Sequence, residues 1–217
     1  MHPILTWRDE MKYRFLYLFL LLSLVQFACG KKINTRRYYV LECTKSQQAR
    51  PDTSLFNVKV DVRDFRVARA FDQTRMALRT NTNELDYYFY HHWAVKPSLA
   101  VADFVYDVIE ARNMFSGAMR GISYAPDYII EGDIKSLERL QEDKMAFTHV
   151  HMAVELIDAR TEMTVVQYEE DQRLALEPAK SMNTYADVTS QILMHFTNKF
   201  LDQVHAHLEA QPAGGRR

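Results

Sequence analysis

The feature that most constrains the fold is a long alternation of apolar and polar side chains between residues 146 and 156. Six small or apolar residues occupy every second position: Ala146, Thr148, Val150, Met152, Val154 and Leu156. In a β-strand, every second side chain points to the same face of the sheet. The turn sequence DARTE, residues 158–162, then leads to a second alternation at Thr164, Val166 and Tyr168. The two segments predict a long antiparallel hairpin with one buried face.

Further strands are predicted on both sides of one helix. The aromatic and β-branched run Arg37–Glu42 predicts a first strand, and Val58, Val60 and Val62 predict a second by their alternation. A hairpin is predicted around the turn residues TNTN, 80–83, with Leu85, Tyr87 and Phe89 alternating on its second arm. The segment Asp127–Ile134 predicts another strand, in which Gly132 marks a bulge.

Two helices are predicted from apolar positions spaced three and four apart. Pro97 opens the first helix, because proline is tolerated in a first turn. Its apolar face consists of Val101, Phe104, Val105, Val108 and Ile109. The second helix begins near Asn183–Thr184, where Thr184 and Asp187 approximate a capping box. Its stripe runs through Tyr185, Val188, Ile192, Phe196, Phe200 and Val204. This order predicts an α+β fold: a single domain with a mostly antiparallel sheet and two main helices packed on it.

The amino-terminal segment resembles a bacterial export signal. The apolar run Phe15–Ala28 has about 14 residues, fewer than the ~20 that a membrane-spanning helix needs. Basic residues precede it, and Cys29-Gly30 follows its last residue Ala28, as at the end of a lipoprotein lipobox. We therefore predict lipid attachment at Cys29. A plain cleaved signal and an uncleaved anchor are the alternatives, and initiation at Met11 is the simpler start.

These observations predict four regions along the chain. Residues 1–29 form the signal segment, 30–36 a polar tether, 37–208 the folded domain and 209–217 a flexible tail. The folded region is long enough to bury a substantial core in one domain.

Charge and motif content exclude several classes of function. The chain has 27 Lys and Arg against 28 Asp and Glu, a formal net charge of −1, which gives no electrostatic basis for nucleic-acid binding. If Cys29 carries lipid, Cys43 has no partner within the chain, so a disulfide framework is excluded. The common phosphate-binding, nucleophile and zinc motifs are absent from the sequence. The sequence therefore predicts no enzyme, no cofactor and no metal site.

Two groups of polar residues are candidate sites. His149 and His151 share one strand face, which could hold a metal, but a solvated or partner-facing surface is the commoner arrangement. Asp127, Glu131 and Asp133 recur on one strand face and could form an acidic pair site, but a polar outer face is the commoner arrangement.

The densest aromatic cluster precedes the first helix. Trp93 at its end is predicted to be structural. Outward-facing members of Tyr87, Tyr88 and Tyr90 are predicted to contact a partner, because tyrosine buries a large area while its hydroxyl stays in water.

The order of these features resembles one known family. The lipoprotein-type signal is followed by Tyr38-Tyr39-x-Leu41, and then by Asn83-Glu84-Leu85 leading to Trp93-Ala94 and Pro97. The acidic, apolar and Gly-x-Ile pattern of Asp127–Ile134 comes after them. Together the motifs look like those of the ABC-type transport auxiliary lipoproteins, over nearly all of the chain beyond the signal.

The resemblance implies a location, partners and one defined functional residue. These lipoproteins accompany MCE-domain proteins and an ABC permease and ATPase that move lipids between bacterial membranes. The implied location is the periplasmic side of the outer membrane, anchored through Cys29, with an MCE protein and the ABC components as partners. Self-association is compatible with the ring-forming MCE partners. The alternatives are an envelope-assembly or wall-synthase-activating lipoprotein and a periplasmic hydrolase.

Overall fold

The computed structural model describes residues 35–42, 55–121, 125–177 and 181–211, together with the helical residues Arg14 and Tyr17. The chain divides into two compact units, Met1–Thr35 and Arg36–Arg217. Cys29 and Cys43 lie outside the described residues. Within the second unit the elements are, in chain order, β1 (Arg37–Tyr39), β2 (Phe56–Val62), β3 (Arg66–Val67), β4 (Arg75–Asn81), β5 (Glu84–Trp93), α1 (Pro97–Arg112), β6 (Phe115–Arg120), β7 (Tyr128–Glu142), β8 (Met145–Asp158), β9 (Met163–Ala175) and α2 (Met182–Glu209).

Strand β7 organises the sheet. One of its edges pairs with β8 along nearly its whole length, and β8 pairs in turn with β9, both antiparallel. The other edge of β7 receives β2, β3 and β4 one after another, all parallel to it. Strand β6 extends the sheet beyond β2, while β5 and then β1 extend it beyond β4.

Among the described residues of the second unit, the predicted α+β class, with one sheet and two main helices, is confirmed. The longest ladders and the β4–β5 hairpin are antiparallel, as predicted. The shorter pairings that β2, β3 and β4 make with β7 are parallel, as are β1 with β5 and β2 with β6, which makes the sheet mixed.

Both helices contribute to one core on one face of the sheet. The predicted alternating residues of β8 are all buried, and so are the predicted apolar faces of both helices. All of them except Thr148 belong to a single hydrophobic cluster that also includes Ile130, Ile134 and Leu137 of β7. Full burial of such a side chain contributes ~1.5–3 kcal/mol, so this face supplies most of the apolar stabilisation.

The helix ends show one agreement with the sequence prediction and one correction. Pro97 is the first residue of α1, and Asn113 ends that helix in the left-handed conformation. Helix α2 was predicted to begin near Asn183–Thr184, and it begins at Met182. The predicted capping box between Thr184 and Asp187 was wrong. Ser181 is the N-cap, and its hydroxyl accepts a hydrogen bond from the Thr184 backbone N–H at 3.2 Å.

Gly132 has a different role from the one predicted. The β7–β8 register shifts between Ile134 and Ser136, so the irregularity lies beyond Gly132. A Cβ atom at Gly132 would lie 2.3 Å from Cε2 of Phe65. Glycine is therefore required here because the Phe65 ring packs directly on the backbone of β7.

Candidate functional site

The face of the sheet opposite the helices carries a row of residues from five neighbouring strands. Register places Tyr87 of β5 beside Ala77 of β4, then Glu138 of β7, His149 of β8 and Arg173 of β9. Directly paired residues share a face of a sheet, so the row forms a band across it. We call this side of the sheet the helix-free face, because both described helices contribute to the core on the opposite side.

Glu138 is the centre of a hydrogen-bonded charge network on this face. Its side chain is 1% exposed, and Oε1 lies 2.9 Å from Nδ1 of His149. Arg79 Nε donates to the same carboxylate at 2.9 Å, and Nε2 of His149 lies 2.8 Å from Oδ1 of Asp171. Both imidazole nitrogens thus face carboxylate oxygens, an arrangement that favours the protonated ring.

The environment lowers the pKa of Glu138 and raises the pKa of His149. Burial acts to raise the pKa of Glu138, but the hydrogen bonds from His149 and Arg79 outweigh it and hold that pKa below its usual value. Burial acts to lower the pKa of His149, but its hydrogen bonds with Glu138 and Asp171 raise that pKa overall. The favoured state is therefore an imidazolium between two carboxylates.

His151 and the acidic series also have partners within the fold. His151 Nε2 lies 2.8 Å from Oε1 of Glu169, which also pairs with Lys135. Of the three acidic residues considered as a site, Asp127 accepts the backbone N–H of Lys59 at 2.8 Å.

The other two acidic residues bind arginines. Arg66 Nε donates to Asp133 at 2.7 Å, and Arg63 Nη1 donates to Glu131 at 2.8 Å. The hydrogen bond from Arg66 holds the pKa of Asp133 below its usual value. These side chains form neutralised pairs on the helix-free face. Within the described residues, no His, Cys, Asp and Glu side chains are grouped so that three or more could hold a metal ion.

The three tyrosines predicted to contact a partner lie in three different environments. Tyr87 is on the helix-free face, where its hydroxyl donates to the Ala70 carbonyl at 2.9 Å and its ring stacks under Arg75. Tyr88 packs against the core, and its hydroxyl accepts a hydrogen bond from Arg139 at 3.0 Å. Tyr90 is exposed.

A bulge in β5 explains this divergence. Ala77 lies opposite Tyr87 whereas Arg75 lies opposite His92, so residues 88–91 of β5 have only Met76 to face on β4. The alternation predicted for Phe89 from Leu85 and Tyr87 is therefore interrupted. Phe89 is 66% exposed, and its ring meets that of Tyr90 edge-on at 4.9 Å. Sequence periodicity contains no signal for this bulge.

Strand β1 lies beside the bulge. Tyr38 is 61% exposed, and its ring is 5.7 Å from that of His92. Nε2 of His92 lies 3.1 Å from the Phe89 carbonyl oxygen, a contact within β5 at the bulge. We call the exposed rings of Tyr38, Phe89 and Tyr90 the aromatic corner.

Trp93 has the buried position that was predicted for it. Its side chain is 3% exposed, and its ring is 5.6 Å from that of Tyr185 in α2. Its backbone N–H donates to Thr74 at 2.7 Å. Trp93 thus joins the end of β5 to the helix layer.

Comparisons with known proteins show what fold this arrangement belongs to. No family model matches the sequence, and no curated protein matches it. Among solved structures, a Xanthomonas campestris protein assigned to DUF330 superposes with a TM-score of 0.70 at 16% identity, covering 81% of this chain and 99% of that one. An uncharacterised protein superposes with a TM-score of 0.62 at 10% identity, covering 78% and 99%. This α+β fold is therefore shared with those two proteins.

None of the described helices is both long and apolar enough to cross a bilayer.

Proposed function

We propose that this protein is a lipid-anchored periplasmic lipoprotein at the outer membrane, and that it serves as an accessory binding component of an MCE/ABC-type lipid transport system. The observation that carries this proposal is the helix-free face, a band of five strands whose charged groups are already paired. Strands lie ~4.8 Å apart, so the band is about 20 Å across. A broad, preorganised surface of this kind suits binding of another protein.

The motifs behind the family resemblance support the proposal, because the fold brings two of them together. Tyr39 lies opposite Trp93 in the parallel β1–β5 pair, and the Ala94 backbone N–H donates to the Tyr39 carbonyl at 2.7 Å. Residues far apart in the sequence therefore form one structural unit. The third motif forms the beginning of β7, where β2 and β8 pair with it.

The proposed partner is the periplasmic MCE component, and the proposed contact is the helix-free face. Tyr87 is the member of the predicted tyrosine group that lies on this face, beside Ala77. Arg173, at the other end of the row, is exposed and 3.6 Å from Glu142. The protein is proposed to act by binding, with no catalytic turnover of its own.

Arg173→Glu is expected to weaken recovery of the MCE component. A reversed charge at the edge of an interface lowers complementarity, and we expect about a fivefold or greater loss. Tagged full-length protein would be purified from detergent-solubilised envelopes and its partners quantified by mass spectrometry. Lys199→Glu on the exposed side of α2 makes the same charge change on the helix layer and should leave recovery unchanged. Recovery of wall-synthesis or outer-membrane assembly proteins, without MCE or ABC components, would contradict the proposed function.

Cys29→Ala is expected to abolish anchoring through lipid. Acyl chains contribute about 0.8 kcal/mol per buried CH₂, and two signals together hold a protein stably where one does not. Intact-mass analysis of the parent should give an amino terminus at a lipidated Cys29, whereas the variant should stay unprocessed or leave the membrane fraction. A parent protein with any other mature amino terminus would refute this prediction.

A further inference from the structure

The aromatic corner lies at the end of the β1–β5 pair where β1 begins. Strands β1 and β5 run in the same direction, with Arg37 opposite His91 and Tyr39 opposite Trp93. Phe89 and Tyr90 immediately precede His91, so they lie at the end of the pair where β1 begins. The chain reaches β1 from Cys29 at this same end.

The number of residues before β1 limits the distance to the anchor. Arg36 is seven positions after Cys29 in the sequence, and a fully extended chain spans at most ~3.6 Å per residue, or about 25 Å. A membrane that holds Cys29 therefore lies within about 25 Å of Arg36, and thus close to the beginning of β1.

The side chains at this end have the chemistry of a membrane-surface contact. Phe89 and Tyr38 are largely exposed, although each is a large ring that water solvates poorly. Arg36 and Arg37 are exposed beside them, and Lys31 and Lys32 lie in the preceding sequence. The whole chain carries a formal charge of only −1, so this basic cluster is a local feature. Aromatic rings with adjacent basic groups are typical of the boundary between lipid headgroups and acyl chains.

His91 lies opposite Arg37 in the β1–β5 pair and is held neutral by its surroundings. Burial and the nearby Arg37 lower its pKa, and Nδ1 lies 2.8 Å from the Tyr39 hydroxyl. The corner therefore presents rings and arginines to its surroundings.

We propose that the aromatic corner docks on the phosphate-bearing headgroup layer of the membrane that holds Cys29. Phe89 and Tyr90 insert their rings at the boundary with the acyl chains, while Arg36 and Arg37 bind headgroup phosphates. This proposal rests on the proposed anchor. It fixes the orientation of the domain, and it leaves the helix-free face for the protein partner.

Tryptophan fluorescence provides a direct test, because the chain has few tryptophans. Trp7 precedes Cys29 and is lost on processing, which leaves the buried Trp93. Full-length lipidated Phe89→Trp protein would be reconstituted into vesicles of equal parts phosphatidylethanolamine and phosphatidylglycerol, with and without brominated acyl chains. The matched control is Met163→Trp, because Met163 at the start of β9 is also 66% exposed.

The emission that the new tryptophan adds at position 89 should fall about twofold or more with brominated lipid, and the emission added at position 163 should not. Adding Arg36→Glu and Arg37→Glu to Phe89→Trp should reduce this quenching. Vesicle flotation of the same samples reports the anchor separately. Protein that floats without quenching at position 89 overturns the docking proposal alone, whereas protein that does not float overturns the anchor as well. A change at position 89 caused by a protein partner, with no effect of brominated lipid, would identify the corner as a protein interface and also overturn the proposal.

Discussion

Trp93→Ala should lower the free energy of unfolding by about 3–5 kcal/mol, because truncation of a buried tryptophan removes apolar contacts and leaves a cavity. The ring lies between the end of β5 and Tyr185, which is itself fully buried. Alanine would remove the contact between the end of β5 and Tyr185 of α2. A domain of this size should then melt about 6–20 °C lower.

Thermal and urea unfolding of the full chain would measure this loss. Trp93→Phe is the matched variant, since it retains an aromatic ring at the site and should cost clearly less than alanine. If Trp93→Ala melts like the parent but loses its protein partner, Trp93 belongs to an interface and its structural assignment is wrong.

The second large loss in the free energy of unfolding is expected from Glu138→Gln. The substitution keeps the shape of the side chain but removes the charge that binds both Arg79 and His149. Loss of one partner from a buried ion pair costs about 3–5 kcal/mol, because the remaining charges stay poorly solvated. We expect the lower part of this range, since Arg79 is partly exposed and can recover some hydration. Urea unfolding would measure the loss, and Glu142→Gln at an exposed position on the same strand should change stability by less than about 0.5 kcal/mol.

The pH dependence of stability tests the same network. The pKa of His149 is raised from 6.5, so its contribution is fully present below that value and is lost as pH rises through the folded-state pKa. The pKa of Glu138 is lowered from 4.5, so its contribution is present above 4.5 and is lost as pH falls through the folded-state pKa. The network should therefore contribute most between 4.5 and 6.5.

The cost of Glu138→Gln should accordingly be largest at about pH 5.5 and should fall as pH rises through the folded-state pKa of His149, because the neutral ring leaves no charge unpaired. A cost that does not change with pH would contradict this role of His149.

The sequence predicted which side chains are buried, but it did not predict which strands lie next to each other. The alternation in β8 and the apolar stripes of both helices correctly identified buried residues, because burial on one face imposes the period of the element. The same patterns contain nothing about which strand lies beside which. The parallel pairing of β2, β3 and β4 with β7 therefore had no local signal.

For the candidate sites too, the sequence predicted which residues share a face but not which residues they contact. Sequence reasoning placed His149 and His151 together on one face, but it could not show that Glu138 and Asp171 flank His149, since these contacts depend on strand register. It identified Trp93 as structural from its position. It grouped Tyr87, Tyr88 and Tyr90 as one surface, whereas the bulge in β5 sends them to different environments and exposes Phe89 beside them.

The position of β7 in the chain has a consequence for the order in which the molecule can fold. Strands β2, β3 and β4 are synthesised before Tyr128, yet all three find their neighbouring edge on β7. The β7–β8 and β8–β9 hairpins close through short turns and can form as soon as they are made. The amino-terminal half of the domain therefore has unpaired strand edges until the later hairpins arrive. Unpaired edges are where nascent chains associate with one another, so aggregation before folding is complete should begin in that half.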